Sequence, residues 1–166
     1  IRLTLEGCTM TKRLSTLSAL TGSLLFAAFT GQSVAQSSDN GSTNISRNPT
    51  GGYTQRSMEI PPGSRILFIS GQTATDAEGN TPPDADTQAD IVYAKVGQTL
   101  KDAGMDWSDV VKTNLYMVNP SDIGAIIKAG AKHNPGGKQA GTLVYVKALA
   151  LPEVLIELEA VAAKKD

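Results

Sequence analysis

The sequence predicts an α+β fold in which one sheet carries two helices on a single face. Two stretches show apolar residues at three-to-four spacing, the mark of amphipathic helices. Around them run stretches with apolar residues at every second position, the period of a half-buried strand. The last of these, "LIELEAVA" from Leu155 to Ala162, puts Ile156, Leu158 and Ala160 on one side and Glu157 and Glu159 on the other. Strands separated by single helices favour an α+β sheet, and two helices cover only one of its faces. Two carboxylates on the face left open raise the question of what they meet.

The first 50 of the 166 residues stand apart from this pattern. Residues 1–9 precede Met10, show no structural logic, and read as the product of a start placed too far upstream. They hold the only cysteine, Cys8, in "LEGC", which lacks the apolar region that precedes a lipoprotein attachment box. "MTKR" (Met10–Arg13) is a basic start, followed by the apolar "LSALTGSLLFAAF" and by "SVA" ending at Ala35. That order, with small Ser33 and Ala35 before the cut, is the pattern of a secretory signal peptide over residues 10–35. Its apolar run is shorter than the roughly 20 residues that span a bilayer. The expectation is an exported protein, periplasmic or secreted, with no membrane segment after cleavage and no cysteine. "QSSDNGSTNISRNPT", Gln36–Thr50, is polar and reads as a disordered spacer. Residues 51–166 remain as one domain of ordinary size.

Charge narrows the function classes. The whole chain has 15 basic and 16 acidic residues; setting aside residues 1–35, with Arg2, Lys12, Arg13 and Glu6, leaves 12 and 15. A net acidic domain without a basic cluster argues against a nucleic-acid partner.

Within the domain, "YTQRSMEI" and "SRILFIS" flank "PPG" (Pro61–Gly63) and read as paired strands joined by a turn. "TQADIVYAKVGQTLKDAG" reads as a helix with Ile91, Val92, Val96, Thr99, Leu100 and Ala103 as its stripe and Gly104 as its stop. "DVVKTNLYMV" is a strand with Val111, Leu115 and Met117 on one face. "NPSDIGAIIKAGAKH" is a second helix, with Asn119 placed as cap and Pro120 at the first helical position. "NPGG" (Asn134–Gly137) breaks it, and "GTLVYVKAL" and "EVLIELEAVA" close the chain as two strands. About five strands and two helices result. The uncovered face mixes Lys112, Asn114, Tyr116, Glu157 and Glu159 with Leu155, Val118 and Val161. Such a mixed face suits a subunit interface.

"GGYTQ", "ISGQ", "AGMDWSDVVKTNLYM" and "PEVLIELEAVA" occur in that order, and together they resemble the Rid/YjgF family of reactive-intermediate deaminases. The resemblance covers nearly all of the chain after Gly51. It implies a chorismate-mutase-like fold and a homotrimer whose sheets form a central barrel, with small-molecule pockets at subunit interfaces. It implies hydrolysis of enamines and imines to keto acids and ammonia without cofactor or metal. Tyr53 matches a pocket-lining tyrosine, and Ser70 and Gly71 match the pocket edge. Glu157 matches the carboxylate that positions the attacking water. Thr142 and the backbone of Leu143 match the segment that meets the ligand's acid group. Gly141 departs from the family pattern. Active deaminases carry an arginine there, whose planar fork holds the substrate carboxylate. Lys138, three residues earlier, is a flexible ammonium and a different kind of group.

Two readings stay open at this point. In one, Glu157 directs water in an imine hydrolase whose substrate need not carry a carboxylate. In the other, the same trimer binds a small ligand without turnover, and Glu157 pairs with a lysine such as Lys112 or Lys147. Glu159 reads as structural. Ser70 has no neighbouring base in sequence, and His133, the only histidine, reads as a capping or solvated group at a helix end. No His, Cys or Asp cluster has metal-ligand spacing.

Overall fold

The computed structural model describes residues 44–49 and 55–165, without the side chains of residues 45–49, 55 and 56. Tyr53, the expected signal peptide, the stretch before Met10 and most of the expected spacer lie outside the described residues. The strands are β1 (Ile45–Pro49), β2 (Gln55–Glu59), β3 (Arg65–Gln72), β4 (Val110–Met117), β5 (Ala140–Tyr145) and β6 (Ile156–Lys164). The helices are α1 (Ala85–Asp102) and α2 (Ile123–His133). The strands form one mixed sheet in the order β1-β2-β5-β4-β6-β3. β4 is its centre, parallel to β5 and antiparallel to β6.

The central strands form because their sequence alternates as a half-buried strand must. Along β4, Val111, Thr113, Leu115 and Met117 are buried, while Lys112, Asn114 and Tyr116 lie on the other face. Along β6, Ile156, Leu158, Ala160 and Ala162 are buried and Glu157, Glu159 and Val161 alternate with them. α1 lies over β6 and β3 with Val92, Val96 and Leu100 wholly buried. Burying each such side chain stabilises the fold by about 1.5–3 kcal/mol. Asp84 caps α1 by accepting from Thr87 N at 2.8 Å, and Gly104, at φ 70°, ends the helical segment.

A buried glutamine fastens α1 to the chain below it. Gln88 is fully buried; its Nε2 donates to Pro82 O at 2.6 Å and Glu153 O at 2.9 Å, while its Oε1 accepts from Leu155 N. Every polar atom of this side chain is satisfied, so its burial carries no desolvation debt. Helical periodicity marks the position but not these partners.

Four expectations change. Residues 45–49 are a strand and not part of a disordered spacer, because β1 is held by its antiparallel ladder with β2. An edge strand held by backbone bonds needs no apolar alternation, so its polar sequence concealed it. β2 and β3 do not pair with each other: β2 adjoins β1 and β5, and β3 adjoins β6. Pro61 and Pro62 offer no N–H to a ladder, so the turn between them does not zip a hairpin. Leu155 is partly buried against the core instead of sitting beside Val161 on the open face. Asn119 makes no side-chain bond to the backbone of the turn Pro120–Asp122 that leads into α2; its Nδ2 meets Asp122 Oδ2 at 3.2 Å.

Candidate functional site

The open face of the sheet carries the two glutamates. Cross-strand register places Tyr116 opposite Glu157 and Asn114 opposite Glu159. Glu159 accepts from Asn114 Nδ2 in a short contact and from Tyr116 Oη at 3.4 Å. The Tyr116 hydroxyl is pushed above its ordinary pKa of 10.0, first by desolvation, then by the negative charge of Glu159, its hydrogen bond and the charge of Glu157. Tyr116 is therefore a protonated donor at neutral pH. Glu159 is a bonded member of a small network, as its structural reading requires.

Glu157 is in a different situation. Among the described residues nothing donates a hydrogen bond to its carboxylate and no cation pairs with it. Lys112 turns away to donate to Thr142 Oγ1 at 2.8 Å. Beneath Glu157 lies Gly71, in the stretch where the β3–β6 register shifts between Ile69 and Gln72. A Cβ at Gly71 would overlap Glu157 Oε1 and stand 2.8 Å from Cδ. Glycine is required here for the close approach of the carboxylate to the strand, not for an unusual backbone angle.

The neighbouring surface is apolar. Phe68 is 77% exposed, and Ile66 and Val161 share its face. Ser70 joins Phe68, Lys112, Asn114, Glu159 and Val161 around a shallow pocket of about 380 Å³. Phe68 went unnamed in the sequence reading. Its signal was present: "ILFI" is apolar at every position, so both faces of β3 had to carry apolar side chains.

The segment 141–143 lies elsewhere. Thr142 stands opposite Asn114 on the open face, whereas Gly141 and Leu143 stand opposite Thr113 and Leu115 on the face toward the helices. There they line a cavity of about 630 Å³ between α2 and the sheet, with Lys138 also on its wall. Gly141 is extended strand and not among the glycines with positive φ. One chain thus brings Ser70, Gly71, Thr142 and Glu157 to its open face and sends Gly141 and Leu143 to the other.

His133 is neither solvated nor a simple cap. Its Nε2 lies 2.7 Å from Asp90 Oδ1, and its ring stacks on Tyr93 with centroids 6.3 Å apart. Hydrogen bonds from Lys132, then from His133, hold the Asp90 carboxyl below its ordinary pKa. This cluster ties α2 to α1. Among the described residues no three His, Cys, Asp or Glu side chains form a group able to hold a metal ion, and no helix is long and apolar enough to cross a membrane.

Residues 44–164 match the family model described as Endoribonuclease L-PSP. A RutC family protein of Synechocystis sp. is 30% identical over 118 residues, covering 69% of this chain and 87% of that protein. The 2-iminobutanoate/2-iminopropanoate deaminase of Mus musculus is 28% identical over 102 residues, covering 60% of this chain and 75% of that protein. Among solved structures, a Rid-family protein of unknown function from Yersinia pestis superposes with a TM-score of 0.62 at 34% identity, covering 72% of this chain and 97% of that one.

Proposed function

The chain belongs to the endoribonuclease L-PSP family, the Rid/YjgF family, some of whose members are imine and enamine deaminases; from that premise we propose that it is an exported, homotrimeric hydrolase of small reactive imines. The observation that carries this is Glu157, which has no hydrogen-bonding partner among the described residues and lies over Gly71 on the open sheet face that also carries exposed Phe68. A carboxylate without a partner is available to take a proton from water. A second copy seated on the apolar strip would complete the pocket, with the Glu157 edge of one protomer meeting the 141–143 segment of its partner. Export follows from the "MTKR"–apolar–"SVA" order.

The chemistry needs no cofactor. Water adds to the imine carbon as Glu157 accepts one of its protons and the nitrogen gains one. The carbinolamine then loses its C–N bond, releasing ammonia and leaving a carbonyl group. Atoms balance as imine plus water to carbonyl plus ammonia. Glycine at position 141 leaves no guanidinium for a substrate carboxylate, and loss of a charge contact of that kind costs about 2–5 kcal/mol. The preferred substrate is therefore an imine without a carboxylate. The same glycine favours a second reading, in which the trimer binds its ligand without turnover.

The test compares hydrolysis of 2-iminopropanoate with that of a neutral imine by wild type and Gly141→Arg, with light scattering alongside. A trimer that turns over the neutral imine, and an arginine variant that gains at least about tenfold on the imino acid, equal to about 1.4 kcal/mol, support the hydrolase. A stable monomer, or turnover of neither substrate by either protein, overturns it; ligand binding without turnover by a folded trimer supports the second reading.

A further inference from the structure

Tyr116 shares the open face with both glutamates. Cross-strand register sets it in a row between Val144 on β5 and Glu157 on β6, and the next row runs Thr142, Asn114, Glu159. Directly opposed residues on one face of an antiparallel pair have Cβ atoms about 4.5–5.5 Å apart, so the Tyr116 ring and the Glu157 carboxylate border the same space. Lys112, the other titratable donor on β4, lies two rows away and donates to Thr142 Oγ1.

The Tyr116 hydroxyl is loosely held. Its Oη lies 3.4 Å from Glu159 Oε1, whereas a hydroxyl donating to a carboxylate ordinarily closes to about 2.5–2.7 Å. Asn114 Nδ2 makes the short contact to that same oxygen and is its main donor. Val144, on the other flank, presents only hydrocarbon. A hydrogen bond as long as that to Glu159 gives up little when the hydroxyl turns to a nearer acceptor.

Hydrolysis of an imine calls for such a donor. Glu157 takes the proton that leaves water, but the proton gained by nitrogen also needs a source. Desolvation, the charge and hydrogen bond of Glu159, and the charge of Glu157 all hold the Tyr116 hydroxyl in its protonated form. A phenolate between two carboxylates is costly, so a proton leaving Oη must be replaced as it goes. Glu157, once protonated by the attacking water, is the group placed to replace it.

We propose that Tyr116 is a second catalytic residue, passing to the substrate nitrogen the proton that Glu157 takes from oxygen. This rests on the reading of Glu157 as the base of an imine hydrolase, and it supplies the acid. In the addition step the water oxygen bonds to carbon and the C=N π pair moves to nitrogen. The water proton goes to Glu157, the Oη proton to nitrogen, and the Glu157 proton to Oη. In the cleavage step the carbinolamine O–H gives its proton to Glu157 while Oη again protonates nitrogen. The C–N pair leaves with the amine, the carbonyl forms, and Oη regains its proton from Glu157. Both side chains end as they began.

The test uses the full chain, wild type and Tyr116→Phe, with N-benzylidenemethylamine as a neutral imine and the uncatalysed rate subtracted. Above the pKa of the iminium ion the substrate arrives without its proton. There the variant should lose about 100-fold or more in kcat, with KM within about twofold and an unchanged melting temperature. Below that pKa the substrate brings the proton itself, and the deficit should shrink to a few-fold. The variant's rate should therefore fall about tenfold per pH unit above the iminium pKa while that of wild type stays level. A tyrosine that only packs would leave the pH profile unmoved. Equal rates, or an equal deficit at every pH, in a folded Tyr116→Phe overturn the proposal, and wild-type turnover then keeps the hydrolase reading in place. No turnover by folded wild type overturns both.

Discussion

Glu157 and Glu159 leave the same strand on the same side, two residues apart, and reach different surroundings. Glu159 stands over the sheet centre, where Asn114 and Tyr116 donate to it. Glu157 stands over Gly71 at the irregular stretch of β3, where no described residue donates to it. Strand period decides which face a side chain takes, but cross-strand neighbours decide what it can do there. A carboxylate already bonded to neutral donors is a structural acceptor, and an open one remains available to water.

Substitution at the two sites should separate rate from stability. Glu157→Gln should lower kcat on a neutral imine by about 100-fold or more, the usual weight of a general base, at an unchanged melting temperature. Equal loss of rate from a folded Glu159 variant would break the contrast. Glu159→Leu should instead destabilise by about 1–3 kcal/mol, because Asn114 and Tyr116 lose their shared acceptor; denaturant unfolding measures it.

Gly71→Ala tests whether the close approach matters. The added Cβ meets the far end of a flexible side chain, so stability should change by less than about 1 kcal/mol. The carboxylate must nevertheless move, and kcat should drop about tenfold as water is misplaced. A large loss of stability with normal kcat would show that Gly71 serves the backbone alone.

The smallest effect is a titration. Tyr116 holds its proton to higher pH in the folded chain than in the unfolded one. The stability linked to it is fully present below its unfolded pKa of about 10 and is lost as pH rises through the folded value. Carbon-13 tyrosine resonances should show this raised pKa, and Glu159→Gln should lower it only partly, since desolvation, the largest cause, remains. A complete return to the ordinary value would assign the whole shift to charge.

Periodicity alone determined a good deal of this protein. The helices, the central strands and the side of the sheet that each residue of β4 and β6 takes follow from apolar spacing, because burial selects one face of each element. The resemblance of "ISGQ" and "IELEA" to family motifs singled out Gly71 and Glu157, but not the collision that ties one to the other. Contacts between residues far apart in the chain belong to the tertiary structure. Only pairing order showed that β2 and β3 part at Pro61–Pro62, that polar residues 45–49 make a strand, and that Gly141 stands opposite Thr113 on the face toward the helices. Local pattern records which way a side chain points; which strand lies beside it is decided by packing and hydrogen bonding across the whole sheet.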